Sequence, residues 1–395
     1  MFLRLLVLLL VITPTAFSNQ QEKQAKSSKA KAETKADAKS EDTTKPTAEE
    51  VNEEAAQQQA MAISLVTTLA DEARNFKDQT RRARVQAKAA DVLWASDPER
   101  SRELFRRAWE AAEIVDTEAA RQRAEQIKRM QEGGESVVIR GGLDLRGEVL
   151  RLVAKRDRKL GEEFLKALDE ANAKAAEEAS ASARRSGIGM DPLGSSKRLQ
   201  LARQLVADGE IERAMQFAGP ALNSVNLDSI FFLSALREKN AQLADQAFTN
   251  LLAVVVRDPL SDANTVSGLS SYVLTPFFYV TFERGGGANQ NQSRRPTGPP
   301  DIPPALRSNF LKVAFQILMQ PLPAPDQDRT TSGHRGKYLV IKRLLPVFEQ
   351  YAPDLEPGLR TQMTALASYV PPDLQTGENR SVTAGIRPEM DEGDP

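Results

Sequence analysis

Residues 96–112 read SDPERSRELFRRAWEAA, a tight polar turn that runs straight into a helix. Pro98 suits a first helical turn, and Ser96 ahead of it is the expected N-cap, because its hydroxyl oxygen can accept from an orphan backbone N–H. Beyond the turn, Leu104, Phe105, Ala108, Trp109, Ala112 and Val115 recur at steps of three and four, one face of an amphipathic helix. Upstream, Ala83, Ala87, Ala90, Leu93 and Trp94 do the same. Two such helices joined by so short a turn lie antiparallel as a hairpin.

The pattern returns along the chain. Gly161, Leu165 and Leu168 follow a charged turn; Ala214, Ala218 and Ala221 follow Asp208-Gly209; Ala244, Phe248 and Leu251 follow Lys239-Asn240. Each time a small residue, an apolar one and another small residue or Leu share one helix face, so a neighbouring helix can approach closely. These spacings resemble the second helix of tetratricopeptide repeats. Ser101, Phe105 and Ala108, with Ala89 in the helix before, match that pattern best, and Ala214 and Ala221, preceded by Leu201 and Ala202, match next. Three departures stand: Ala218 replaces the aromatic, no proline closes the first copy, and irregular insertions replace a fixed period. The resemblance implies an array of α-hairpins in a family that binds protein partners; an ordinary amphipathic bundle is the alternative. Within it, Ala89, Ser101, Phe105, Ala108, Trp109, Ala214, Ala221, Ala244 and Phe248 are expected to hold hairpins together.

The fold class expected is therefore all-α: a degenerate antiparallel hairpin array, either a solenoid or an irregular bundle. Its repeat region spans 61–283, with loops near 131–146 and 180–197. A Gly/Pro-rich disordered loop follows at 284–304, then C-terminal helices over 305–370 and a disordered tail over 371–395. The apolar run around Pro276, within 267–283, fits a kinked buried helix or a short strand, and helix is the preferred reading.

The beginning of the chain reads as an address. MFLRLLVLLLVITPTAFS carries Arg4, an apolar run from Leu5 to Ile12 and small residues before position 19, which describes a secretory signal over 1–18, cleaved after Ser18. Retention as an anchor is the alternative, although the run is too short for a bilayer of about 30 Å. Residues 19–60 are Lys, Ala, Glu, Gln, Ser and Thr with almost nothing larger than Ala to bury, so a disordered spacer is expected, with transient helix after Pro46.

Composition removes several kinds of chemistry. The chain has no Cys and one His, His334, so thiolate sites, disulfides and multi-histidine metal sites are impossible. His334 sits in TTSGHRGKY, expected to be an exposed loop without a catalytic role. Charge is balanced at 53 basic against 54 acidic residues, which argues against a bulk grip on nucleic acid. No phosphate-binding glycine motif occurs. Arg81, Arg82 and Arg84, with Arg106 and Arg107 on the partner helix, form a candidate partner-binding patch, weighed against self-pairing such as Glu103 with Arg107. The expected product is an exported, periplasmic or extracellular, non-enzymatic scaffold that binds a protein or peptide, with no cofactor, no metal, no nucleic acid and no membrane span after signal cleavage. A carboxylate enzyme acting on envelope carbohydrate, or a purely structural envelope protein, are the alternatives.

Overall fold

The computed structural model describes residues 48–133, 144–183, 193–294, 300–321, 324, 326–376 and 382. The expected signal, most of the spacer, the loop centres at 134–143 and 184–192, and the tail beyond 382 lie outside the described residues.

Helices dominate what is described. The first is α1 (Ala48–Glu72), followed by α2 (Gln79–Leu93), α3 (Pro98–Gly133), α4 (Leu145–Arg156), α5 (Arg158–Ala183), α6 (Leu193–Ala207) and α7 (Ile211–Ala218). Then come α8 (Leu227–Lys239), α9 (Ala241–Arg257) and α10 (Ala263–Leu274). Strands β1 (Phe278–Phe282) and β2 (Ala288–Gln292) intervene before α11 (Pro304–Leu318), α12 (Gly333–Tyr351), α13 (Glu356–Leu366) and α14 (Pro372–Thr376). Consecutive pairs pack together: α2 on α3, α4 on α5, α6 on α7, α8 on α9, α10 on α11 and α12 on α13. Each even-numbered helix from α2 to α10 also packs on the next even-numbered one.

Local chemistry explains where helices begin and end. Asp78, Asp144, Asn226, Asn240 and Asp262 cap α2, α4, α8, α9 and α10 through side-chain oxygens that accept from backbone N–H groups. At α3 the cap is not the expected Ser96. Pro98 already occupies the first helical position, so the carboxylate of Asp97 is the group that reaches the Arg100 N–H, at 3.0 Å, while the Ser96 hydroxyl turns back to the Leu93 carbonyl. Just beyond the end of α6 stands Gly209, whose φ of 85° is in the left-handed region. The Glu210 N–H bonds the Leu205 carbonyl and the Gly209 N–H bonds that of Val206, a double closure that needs a residue without Cβ strain.

The expected small and aromatic positions are core. Ala89, Ser101, Phe105, Ala108, Trp109, Ala214, Ala221, Ala244 and Phe248 are all buried. Trp109 on α3 stacks on Phe164 of α5 with centroids 4.4 Å apart, and Phe248 on α9 stacks on Tyr272 of α10 at 4.3 Å. At Gly161 α5 lies close against its neighbours: a Cβ there would lie 3.1 Å from the Ala154 Cα and 3.0 Å from the Phe217 ring.

Five expectations are corrected. Helix begins at Ala48 rather than Met61, inside the stretch assigned to the spacer, because Ala, Glu and Gln are strong helix formers. The segment 267–283 is not one helix: α10 stops at Leu274, Pro276 cannot continue it, and Phe277 takes φ 62°, which turns the chain into β1. Residues 284–304 are not wholly loop, because β2 pairs antiparallel with β1 from Phe278↔Gln292 to Phe282↔Ala288. The tail does not begin at 371: α14 follows, and Val382 is buried, its carbonyl accepting from Arg343 at 3.0 Å. Finally, His334 lies in the first turn of α12, with its side chain only 10% exposed.

Candidate functional site

The five arginines of the expected patch lie on one hairpin, and acids meet four of them. Arg81 pairs with Asp78 at 3.2 Å and Arg107 with Glu103. Arg84 reaches Glu148 on α4 at 2.7 Å, and Arg106 reaches Glu163 on α5 at 2.5 Å. The hydrogen bonds from Arg84 and Arg106 hold the Glu148 and Glu163 carboxyls below the usual carboxylate range. Arg82 is half-buried, with no hydrogen-bond partner for its buried Nε. The same bridging continues with Arg102–Asp157 (2.7 Å), Arg156–Asp91 (2.5 Å) and Arg198–Glu162 (2.8 Å). Exposed pairs contribute only about 0–1 kcal/mol each. Their consequence here is alignment, since they tie one hairpin to the next at fixed heights and leave little free positive charge for a partner.

A denser polar site forms where α10, β1 and α12 meet. Its origin in sequence is SDANT (261–265), in which Asp262 caps α10 and Thr265 three residues later answers it. One oxygen of Asp262 accepts from the N–H groups of Asn264 (2.9 Å) and Thr265 (3.2 Å), while the Thr265 hydroxyl accepts from the Asp262 N–H. The other oxygen reaches across sixty-nine residues of chain to accept from the Thr331 N–H and hydroxyl, both at 2.7 Å, and from the Ser332 N–H at 3.2 Å. Asn264 fastens the third element: its side chain exchanges two hydrogen bonds with the backbone of Phe282 at the end of β1, and donates to the Thr331 hydroxyl. A single buried carboxylate thus serves the N-termini of α10 and α12 together.

The segment before α12 is equally organised. Asp328 is buried and accepts from the Thr330 N–H and hydroxyl; its other oxygen lies 3.4 Å from His334 Nδ1. The His334 ring tilts against Tyr369 at 4.5 Å, beside a cavity of about 200 Å³ that Arg284 and Arg335 also line. Both arginines commit their Nε to backbone carbonyls, of Thr330 and Tyr369 respectively. Gly333 has φ 60°, and a Cβ there would meet the Arg284 side chain at 2.9 Å, so only glycine fits this entrance to the helix.

On the other side of the 328–332 segment lies a cavity of about 320 Å³. Lys337 lines it from α12, only 3% exposed, its ammonium donating to the Gln320 carbonyl. Burial pushes the Lys337 pKa down to about 8, against the opposing pull of Asp328. Ser332, 1% exposed, also lines it, and its Oγ has no hydrogen-bond partner. Asp262 is the one acid on this wall among the described residues, and both its oxygens are engaged. Among its buried side chains, the groups left available are therefore donors.

Sequence reading named none of Asp262, Ser332 or Lys337. The glycines of TTSGHRGKY suggested loop, but two signals were present. SDANT carries a capping pattern, and Lys337 falls in phase with Ile341, Leu344 and Phe348, on an apolar helix face where a lysine is out of place. Among the described residues no group of three His, Asp or Glu side chains is placed to hold a metal ion, and no helix is long and apolar enough to cross a membrane. Comparison with family models, with curated proteins and with solved structures finds no match for this chain.

Proposed function

We propose that this chain is an exported helical-hairpin scaffold that holds a protein or peptide partner in the cell envelope, in the periplasm or outside the cell. The observation that carries the proposal is the ladder of contacts in which α2, α4, α6, α8, α10 and α12 each pack on the next, with the odd-numbered helices paired to them. In such an arrangement neighbouring hairpins stack, and the surface they share runs across many units; helical-repeat proteins use surfaces of this kind to bind partners. The tetratricopeptide-like spacing of small and bulky residues agrees with it, since all those positions are buried. The ion pairs that bridge successive hairpins add a reason for a fixed register.

The test is photo-crosslinking in living cells. A photoreactive residue replaces, in separate variants, Val92 on α2, Gln204 on α6 or Glu349 on α12, all exposed on even-numbered helices. The expected result is a discrete adduct with one envelope protein or peptide that recurs at two or more positions. Exported, folded protein that yields no adduct at any of them removes the scaffold reading.

A further inference from the structure

The 320 Å³ cavity between the start of α10, the end of α11 and the start of α12 is not explained by hairpin stacking. Its polar groups are unbalanced. Asp262 has its oxygens filled by Asn264, Thr265, Thr331 and Ser332, and the Ser261 and Thr330 hydroxyls donate to the Val255 carbonyl and to Asp328. Of its buried side chains, what remains is the Ser332 hydroxyl and the Lys337 ammonium with one of its three N–H groups used; the exposed side chains of Arg329, Gln320 and Gln327 complete the polar lining. A buried hydroxyl and a buried ammonium left short of acceptors both cost stability, which a bound acceptor would restore.

Apart from the exposed side chains of Gln320 and Gln327, the rest of the wall is apolar. Pro259, Ala263, Ile317 and Pro321 line it, and Leu260 stands at 86% exposure, the most exposed large apolar side chain described. An exposed leucine beside a buried lysine describes a site with one charged end and one greasy end. The volume falls at the lower end of the range typical of small-molecule pockets, roughly 300–1,000 Å³. One buried cation matches a single negative charge, whereas a phosphate dianion would need more donors than this wall presents.

We propose that this cavity binds a small monocarboxylic acid with an apolar body, its carboxylate accepting from Lys337 and the Ser332 hydroxyl and its hydrocarbon lying on Leu260, Ile317 and Pro321. Arg329 at the exposed side draws the anion in. This site is independent of the scaffold reading, since it lies within one corner of the fold and requires no protein partner.

Isothermal titration of the full chain with hexanoate tests it, with hexanamide as the neutral isostere and inorganic phosphate as the anion without a body. The expected result is saturable binding of hexanoate at one site, with hexanamide about tenfold weaker or worse and phosphate weaker still. Lys337→Met is expected to lose at least about tenfold in affinity. Leu260→Glu, a change at an exposed position that leaves the core intact, places a like charge at the mouth and is expected to weaken hexanoate by a similar factor. Equal affinity for hexanoate and hexanamide, tighter binding of phosphate, no saturable binding of hexanoate, or unchanged binding by folded Leu260→Glu would each overturn the proposal.

Discussion

Replacing Asp262 probes the site at its centre. Asp262→Ala removes the α10 cap, a change that costs about 1 kcal/mol. It also strips three hydrogen bonds from the 331–332 backbone and the Thr331 hydroxyl. Bonds to a charged acceptor are worth about 1.5–3 kcal/mol each, but three that share one oxygen are far from additive, so about 3 kcal/mol is the reasonable sum. The expected loss for Asp262→Ala is about 4 kcal/mol. Asp262→Asn separates the two halves. Its amide oxygen can keep the cap on Asn264 and Thr265, while its NH2 group must face two backbone N–H donors that it cannot accept from. Its cost should therefore be about 3 kcal/mol, nearly all of it at the start of α12. Hydrogen exchange reads this directly: the Thr331 and Ser332 amides should exchange about 100-fold faster in Asp262→Asn, with amides inside α10 such as Val266 unchanged. In Asp262→Ala both sets should accelerate. A folded Asp262→Asn protein with wild-type exchange at Thr331 and Ser332 would show that the shared carboxylate does not hold α12, and the reasoning would fail.

Other perturbations give separable readings. Lys337 has a pKa lowered in the fold to about 8 from 10.5, so between those values the unfolded chain holds a proton that the folded chain does not. Stability from this group therefore rises with pH across that window, and below it the fold carries the full cost of a buried ammonium, with Asp328 attracting it and Asp262 and Arg329 on the same wall. In urea unfolding, Lys337→Met should gain on wild type by about 2 kcal/mol more at pH 7 than at pH 10; a difference independent of pH contradicts this. Trp109→Ala empties the stack on Phe164 and should cost about 3–5 kcal/mol by denaturant midpoint, while Val92→Ala on the exposed side of α2 should stay within about 0.5 kcal/mol. Gly209→Ala forces a Cβ into a φ of 85° and should cost about 1 kcal/mol; a neutral result would mean that the α6 terminus relaxes.

The hairpins were legible because their signals are local. A small residue at Ser101, a ring at Phe105 and Ala108 one turn on define a helix face that must be buried, and each of those side chains is. Ion pairing was legible where it stays on one helix, as for Glu103 with Arg107, and not where Arg84 and Arg106 reach acids 64 and 57 residues away. The strands were missed for a related reason. Phe278, Val280 and Phe282 alternate with half-buried Tyr279 and Thr281, a pattern of period two, yet it covers only five residues directly after a helix. Its partner ANQNQ has no strand character of its own and becomes a strand only by pairing with β1. The Asp262 site depends on contact between segments seventy residues apart, so sequence shows its capping half and hides the half that reaches α12.

Arg343, buried on α12, donates to the Val382 carbonyl, thirty-nine residues further along. That contact sets an order of events. A chain made or threaded from its N-terminus can stack its early hairpins as they appear, but the guanidinium on α12 has no Val382 carbonyl to meet until that residue has also emerged. The packing around Arg343 on α12 is thus completed only after Val382, thirty-nine residues later, has joined it.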